Sequence, residues 1–321
     1  MEYRYLIIAD DFTGANDTGV QLRRRGFATE VLFAGKPVGA KHSVVIDTES
    51  RTVHPDHAYE IVSHAVENVD FDGFRFVIKK VDSTMRGNIA AEVKAVDEKF
   101  QPELIIFAPA LPDLGRTTVD GVQCLNGTEI CRTELALDPK NPVVEDNLVR
   151  MLAAVYDEKV FLKRLPDVRG KDLTFEEGRI YACDAETNDD LKKILLAAGR
   201  TGKKILYIGT AGLADNLMQL ERPSLPAFGV VASVSTVTNR QMKYCEGKGI
   251  TMVQIPVHRI LSGEEDTAPY LEQAMEALKR GEDTILLANT SYNREELELS
   301  FEAGEKLGLG PVETGDKVRS I

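Results

Sequence analysis

The sequence has 321 residues, 43% hydrophobic and 28% charged, with no tryptophan; this is ordinary globular usage and excludes collagen-like, disulfide-scaffold and low-complexity classes. At roughly 100–200 residues per domain the length predicts about two domains. Lys and Arg number 39 against 51 Asp and Glu, a net charge of −12, so nucleic acid and anionic membrane are not expected partners and an anionic ligand requires a local basic pocket.

The N-terminus, MEYRYLIIADDFTG, has too short an apolar run for a signal peptide, and no stretch reaches the ~18–20 apolar residues of a membrane span. The four cysteines, Cys124, Cys131, Cys183 and Cys245, form no C-x-x-C pair, which fits a reducing compartment. A cytoplasmic protein is therefore expected. Short apolar runs then recur at Tyr5 to Ala9, Val44 to Ile46, Phe74 to Lys79, Leu104 to Ala108, Ile180 to Ala182 and Ile205 to Gly209. Amphipathic segments separate them, at Thr18 to Gly26, His57 to Asn68, Ile89 to Phe100 and Asp189 to Ala198. Continuous rather than alternating apolar strands are buried on both faces, so this rhythm predicts parallel βαβ units.

At ERPSLPAFGV, residues 221 to 230, two prolines and a glycine follow a helical stretch, a boundary signal. The predicted division is residues 1–225 and residues 226–321. The second part predicts strands at Val230 to Val234, Met252 to Ile255 and Thr284 to Ala288, and helices at Pro269 to Arg280 and Arg294 to Leu307. The fold class is thus α/β, two domains, each a mostly parallel sheet flanked by helices.

In an open parallel sheet, ligands bind at the carboxyl ends of the strands. Four polar clusters sit there. IADDFTGANDTG, residues 8 to 19, brings Asp10 and Asp11, two adjacent carboxylates that repel unless a metal, a substrate hydroxyl or a cation lies between them; as a plain structural feature, one would cap the following helix. KKVDSTMRGN, residues 79 to 88, brings Lys79, Lys80 and Arg86 with Asp82, Ser83 and Thr84, and an Arg fork suits a carboxylate, as in an acid-sugar pocket. IDTESR, residues 46 to 51, offers Arg51 to the same anion. APALPDLGRTTVDG, residues 108 to 121, is expected to be an irregular loop carrying Arg116 and Asp120. Later, IGTAGLAD, residues 208 to 215, is a strand, a glycine turn and a helix start. VVASVSTVTNRQ, residues 230 to 241, sets Ser233, Ser235, Thr236 and Thr238 ahead of a helix, where hydroxyls contact a phosphate or cap the helix. P-loop, G-x-G-x-x-G, G-x-S-x-G and H-E-x-x-H patterns are absent. His54 and His57 lack a third ligand, and no metal site is expected.

These motifs, in this order over residues 5 to about 241, resemble the four-carbon acid sugar kinase family, and GANDTGVQ after DDFT looks closer to its threonate and erythronate kinases than to its 3-oxo-tetronate branch. The resemblance implies an ATP-dependent kinase acting on the 4-hydroxyl of a tetronate, with an N-terminal sugar-acid domain, a C-terminal nucleotide domain, and Mg²⁺ brought by ATP. It implies substrate contacts from Asp11, Arg51 and the segment Lys80 to Ser83, with Arg86 close by, and an ATP contact from Ser233. Asp10 and Arg116 complete the expected substrate set, Ser235 the nucleotide set, and Asp11, then Asp82, are the expected bases. A homodimer is compatible with the family. Ala232 stands where the family pattern has glycine, and the family's glycine-rich GG-[DE]-T-A phosphate loop is not found, so the C-terminal domain is expected to look truncated and to bind ATP weakly. The rival expectations are a catalytically silent sugar-acid binding protein and, more weakly, an aldonate dehydrogenase or dehydratase.

Overall fold

The structure is a computed structural model that describes residues 5–36, 38, 42–222, 226–233, 235–288 and 294–319. The chain divides into two compact units, Met1–Ser224 and Leu225–Ile321.

The first unit is built on strands β1 (Tyr5–Ala9), β2 (Thr29–Phe33), β3 (Ser43–Asp47), β4 (Phe76–Lys80) and β5 (Leu104–Phe107), a meander β6 (Arg116–Val119), β7 (Val122–Leu125) and β8 (Thr128–Glu129), then β9 (Val160–Lys163), β10 (Ile180–Cys183) and β11 (Ile205–Gly209). Eight of these form one sheet in the order β2-β3-β1-β4-β11-β5-β10-β9, parallel throughout, with Leu6 paired to Val44 and Ile7 to Ile78. The helices are α1 (Phe12–Arg24), α2 (Pro55–Val66), α3 (Ile89–Phe100), α4 (Leu148–Ala153), α5 (Leu165–Arg169), α6 (Asn188–Arg200) and α7 (Ala211–Glu221). Successive side chains of a strand point to opposite faces. Tyr5, Ile7 and Ala9 therefore pack with Ala15 and Leu22 of α1, Ile194 of α6 and Leu217 of α7, while Leu6 and Ile8 pack with Val62 of α2, Val93 and Val96 of α3 and Leu152 of α4. Both faces are apolar because both are covered.

Several elements depart from the sequence expectation. Helix α1 begins at Phe12, six residues before Thr18, because the Asp11 side chain accepts a hydrogen bond from Gly14 N and closes a first turn that the Thr, Gly and Asn content disguises as loop. Strand β2, only partly buried, lies at the sheet edge and escapes a search for apolar runs. The stretch after β5 is not an irregular loop: Asp120–Gly121 and Asn126–Gly127, all at positive φ, make two tight turns that join β6 to β7 and β7 to β8. Asp-Gly and Asn-Gly between strands are the strongest short hairpin signals. Asp184 pins the first turn by accepting from the N–H groups of Asp120 and Gly121, both at 2.8 Å.

The second unit has three parallel strands, β12 (Phe228–Val231), β13 (Thr251–Ile255) and β14 (Thr284–Ala288), in the order β12-β14-β13. Strand β12 starts two residues before the expected Val230 and ends before Val234, which lies outside the described residues. Helices α8 (Thr236–Glu246), α9 (Val257–Ser262), α10 (Ala268–Lys279), α11 (Arg294–Lys306) and α12 (Pro311–Arg319) accompany them; α9 and α12 were not expected. Val253, Ile255, Ala274 and Leu286 form its main core. Among the described residues no helix is long and apolar enough to cross a membrane.

Candidate active site

Strands β3, β1 and β4 are neighbours, so the segments following them converge at one end of the sheet. The turn after β3 is docked on the end of β1 by Thr48 N donating to Ala9 O at 3.0 Å and Arg51 N to Asp10 O at 3.2 Å. Asn88 Nδ2 fastens the same turn from the start of α3, donating to Ser50 O and Val53 O.

The cation that the Asp10–Asp11 pair requires is Arg51. Its Nε and Nη2 donate to the two oxygens of Asp10 at 2.7 and 2.9 Å, and Nη1 donates to Asp11 Oδ2 at 2.8 Å. The remaining Asp11 oxygen caps α1. Asp11 is both cap and cluster member, so the two sequence readings of this position are not exclusive. Asp10 is almost wholly buried, whereas the Asp11 side chain is 22% exposed, the most open of the three carboxylates here.

Adjacent lysines at the end of β4 take opposite sides of the sheet. Lys79 is fully buried, with Nζ 2.8 Å from Glu92 Oε2 of α3, and belongs to the scaffold rather than to the pocket. Lys80, 6% exposed, points to the α1 side; a Cβ on Gly14 would lie 2.7 Å from its Nζ. Among the described residues Lys80 has no ion pair and its ammonium no hydrogen bond. Burial lowers its pKa, opposed by the charges of Asp10 and Asp11.

Asp82 binds the second arginine: Arg86 Nε and Nη2 donate to its two oxygens at 2.9 and 3.0 Å, and Thr84 N and Oγ1 donate to Oδ2. Burial alone raises the Asp82 carboxyl, but the bonds from Arg86 and Thr84 and the Arg51 charge hold it well below the carboxylate range. That makes Asp82 a poor proton acceptor and a good holder of Arg86. N–H groups of both arginines thus meet protein carboxylates, and among the described residues of this cluster Lys80 is the cation left without a bonded partner. Ser83 sits in this loop with a partly exposed side chain, its carbonyl accepting from Gln123 Nε2 at 3.2 Å. Met85, at φ 61, holds the loop in left-handed backbone, a strained state that clusters at functional sites.

Arg116 is not brought into this cluster by any described ion pair; its guanidinium donates to Leu114 O, and its Nε is buried without a partner. Gln123 and Glu92 were missed. Gln123 lies in β7, where its side chain reaches Pro109 O and Ser83 O and bonds Thr118, and a polar residue in a strand next to an Asp-Gly turn was the available signal. In the second unit, Ser235 caps α8 by accepting from Thr238 N at 3.1 Å, and Ser233 Oγ accepts from Ser235 N and Thr238 Oγ1. These hydroxyls are exposed. Among the described residues no group of three or more His, Cys, Asp or Glu is placed to hold a metal.

Residues 5–217 match the sugar-binding N-terminal domain family. The chain is 36% identical to the D-threonate kinase of Salmonella typhimurium over 98% of its own length and 78% of that protein. To the D-erythronate kinase of Heliobacterium modesticaldum it is 31% identical, over 96% and 73% of the two chains. A solved domain of unknown function from Bordetella bronchiseptica, a domain-swapped dimer with bound citrate, covers 94% of this chain and 78% of its own with a TM-score of 0.58 at 25% identity. With the strand-end motifs in order and relatives this similar along nearly the whole sequence, the chain belongs to the four-carbon acid sugar kinase family.

Proposed function

We propose that this protein transfers the γ-phosphoryl group of ATP to the 4-hydroxyl of a four-carbon sugar acid, with D-threonate or D-erythronate as substrate. The observation that carries this reading is Lys80, a lysine only 6% exposed whose ammonium has no bonded counter-charge among the described residues. A carboxylate arriving at the strand ends supplies that charge, and the outer N–H groups of Arg51 and Arg86 are within the same cluster to share it. Citrate on the Bordetella relative is a hydroxylated carboxylate of the same chemical class.

Phosphoryl transfer asks mainly for positioning and charge neutralisation. Asp11, the most exposed carboxylate, orients the attacking hydroxyl and takes its proton as the oxygen bonds to phosphorus and ADP leaves; the depressed pKa of Asp82 argues against that role there. The nucleotide belongs to the second unit. There the exposed hydroxyls of Ser233 and Ser235 and the open first turn of α8 suit phosphate oxygens, and Mg²⁺ accompanies the phosphates to neutralise their charge. The family's dimer-forming relative makes a homodimer the assembly to test first.

A coupled ADP-release assay across D-threonate, D-erythronate and 3-oxo-tetronate tests the reaction, and calorimetry on Lys80→Met tests its basis. The expected loss of sugar-acid affinity is about 2–5 kcal/mol with the fold retained. Unchanged affinity in Lys80→Met sinks the assignment of the carboxylate site. Tight sugar-acid binding with no transfer to any tetronate supports instead a binding protein, a reading favoured by the way the Ser233, Ser235 and Thr238 hydroxyls already bond one another.

A further inference from the structure

The turn after β3 carries a second carboxyl arrangement that the proposed reaction does not use. Asp47, the last residue of β3, is 1% exposed. Its Oδ1 accepts from Glu49 N at 3.2 Å, while its Oδ2 is buried with no donor. Glu49 stands beside it at φ 47, in left-handed backbone, with its own carboxylate accepting from Phe12 N, the first residue of α1, at 3.1 Å. A buried carboxylate oxygen without a donor is costly unless it carries a proton, and the group next to it is a carboxylate able to accept one.

We propose that Asp47 carries a proton on its buried Oδ2 and donates it to the Glu49 carboxylate, and that this bond fixes the first turn of α1, which makes Asp47 a positioning residue for Asp11. The path is short: Asp47 to Glu49, Glu49 to Phe12 N, and Phe12 to its neighbour Asp11, which caps the same turn. The charged groups that face Asp47 are Glu49 from the turn and Asp11 from the β1–α1 junction, both negative; β1 presents Ala9 beside it, β2 presents Phe33, and Ala34 follows β2, none of them charged. Burial first, then these two carboxylates, push the Asp47 carboxyl up to about 6. Below that pH Asp47 donates to Glu49 and the clamp is closed. Above it the proton passes to solvent and three carboxylates repel at the start of α1.

The sign follows from linkage. An acid whose pKa is raised on folding stabilises the folded state relative to its ionised form at low pH, and this contribution is lost as pH rises from the ordinary value of 3.8 toward about 6. Asp47→Asn keeps an N–H donor toward Glu49 at every pH, and Asp47→Ala keeps none. The experiment follows thermal melting from pH 3.5 to 8, and kcat/KM for the best tetronate from pH 5 to 8, in the full chain and both variants. Relative to Asp47→Asn, the wild type is expected to lose melting temperature as pH rises from about 4 to about 6 and to level off above it, and to lose kcat/KM as pH climbs through about 6, with Asp47→Ala below Asp47→Asn throughout. A ratio of Asp47→Asn to wild type that stays flat with pH in both measurements overturns the proposal, as does Asp47→Ala matching Asp47→Asn. The activity arm rests on the kinase reading, but melting does not: with no turnover on any tetronate, the kinase reading falls and the pH course of melting still decides the Asp47 proton.

Discussion

Replacing Gly14 with alanine sets helix propensity against the crowding of Lys80 and Asp11. In a helix alanine is favoured over glycine by about 1 kcal/mol, so propensity alone predicts a more stable protein. The structure opposes this, because the added methyl lies 2.7 Å from Asp11 Oδ1 and 2.7 Å from Lys80 Nζ. Overpacking of this kind costs about 1–3 kcal/mol, and disturbing the bond from Gly14 N to the Asp11 cap costs about 0.5–2 kcal/mol. The net effect is a loss centred near ~2 kcal/mol, a fall of about 4–8 °C in the melting transition of the first unit. Calorimetric melting measures it, and the ADP-release assay should show turnover falling with it. Methionine at position 80 lacks Nζ, and the Cε of the present lysine is 3.5 Å from the new methyl. The double variant Gly14→Ala/Lys80→Met should therefore recover about 1 kcal/mol relative to additivity. A Gly14→Ala protein that melts above the wild type and keeps its turnover refutes the close approach of Lys80 to α1.

Arg51→Ala leaves the Asp10 carboxylate buried without its partner, and denaturant unfolding should show a loss of about 3–5 kcal/mol; Arg51→Lys, which restores charge but not the fork, should recover less than half of it. Asp82 supplies the pH dependence: its pKa is depressed on folding, so its contribution is present above the ordinary value of 3.8 and is lost as pH falls below it. The stability gap between wild type and Asp82→Asn should shrink as pH drops through 4 toward 2, and a gap independent of pH in acid would contradict the Arg86–Asp82 account.

The βαβ rhythm was legible in the sequence because strands buried on both faces are continuous apolar runs, and the strand-end motifs followed from it. What sequence could not supply was direction. Lys79 and Lys80 are chemically identical neighbours, and only the pleat of β4 decides that one is locked against Glu92 and the other turns toward Gly14. Arg51 and Asp10 are 41 positions apart in sequence, so their pairing depends on β3 lying beside β1. Edge strand β2 lacks the apolar run that betrays a central strand, and the β6–β8 meander hid behind its prolines although its Asp-Gly and Asn-Gly turns were in view. The residues that set the loop geometry, Gln123 and Asn88, are ordinary polar side chains whose importance lies in the carbonyls they happen to reach.

At the strand ends three cations, Arg51, Lys80 and Arg86, stand among three carboxylates, Asp10, Asp11 and Asp82. Seen from a distance such a cluster has almost no field of its own. An anion approaching these strand ends meets instead the chain's net −12, and is repelled until it is within a few ångströms of Lys80. Salt shortens the reach of that repulsion, from about 30 Å at 0.01 M to about 8 Å at 0.15 M. Added salt should accordingly quicken the arrival of anionic substrates, the reverse of a protein that draws anions down a positive funnel, so that recognition here is decided at contact and not by long-range capture.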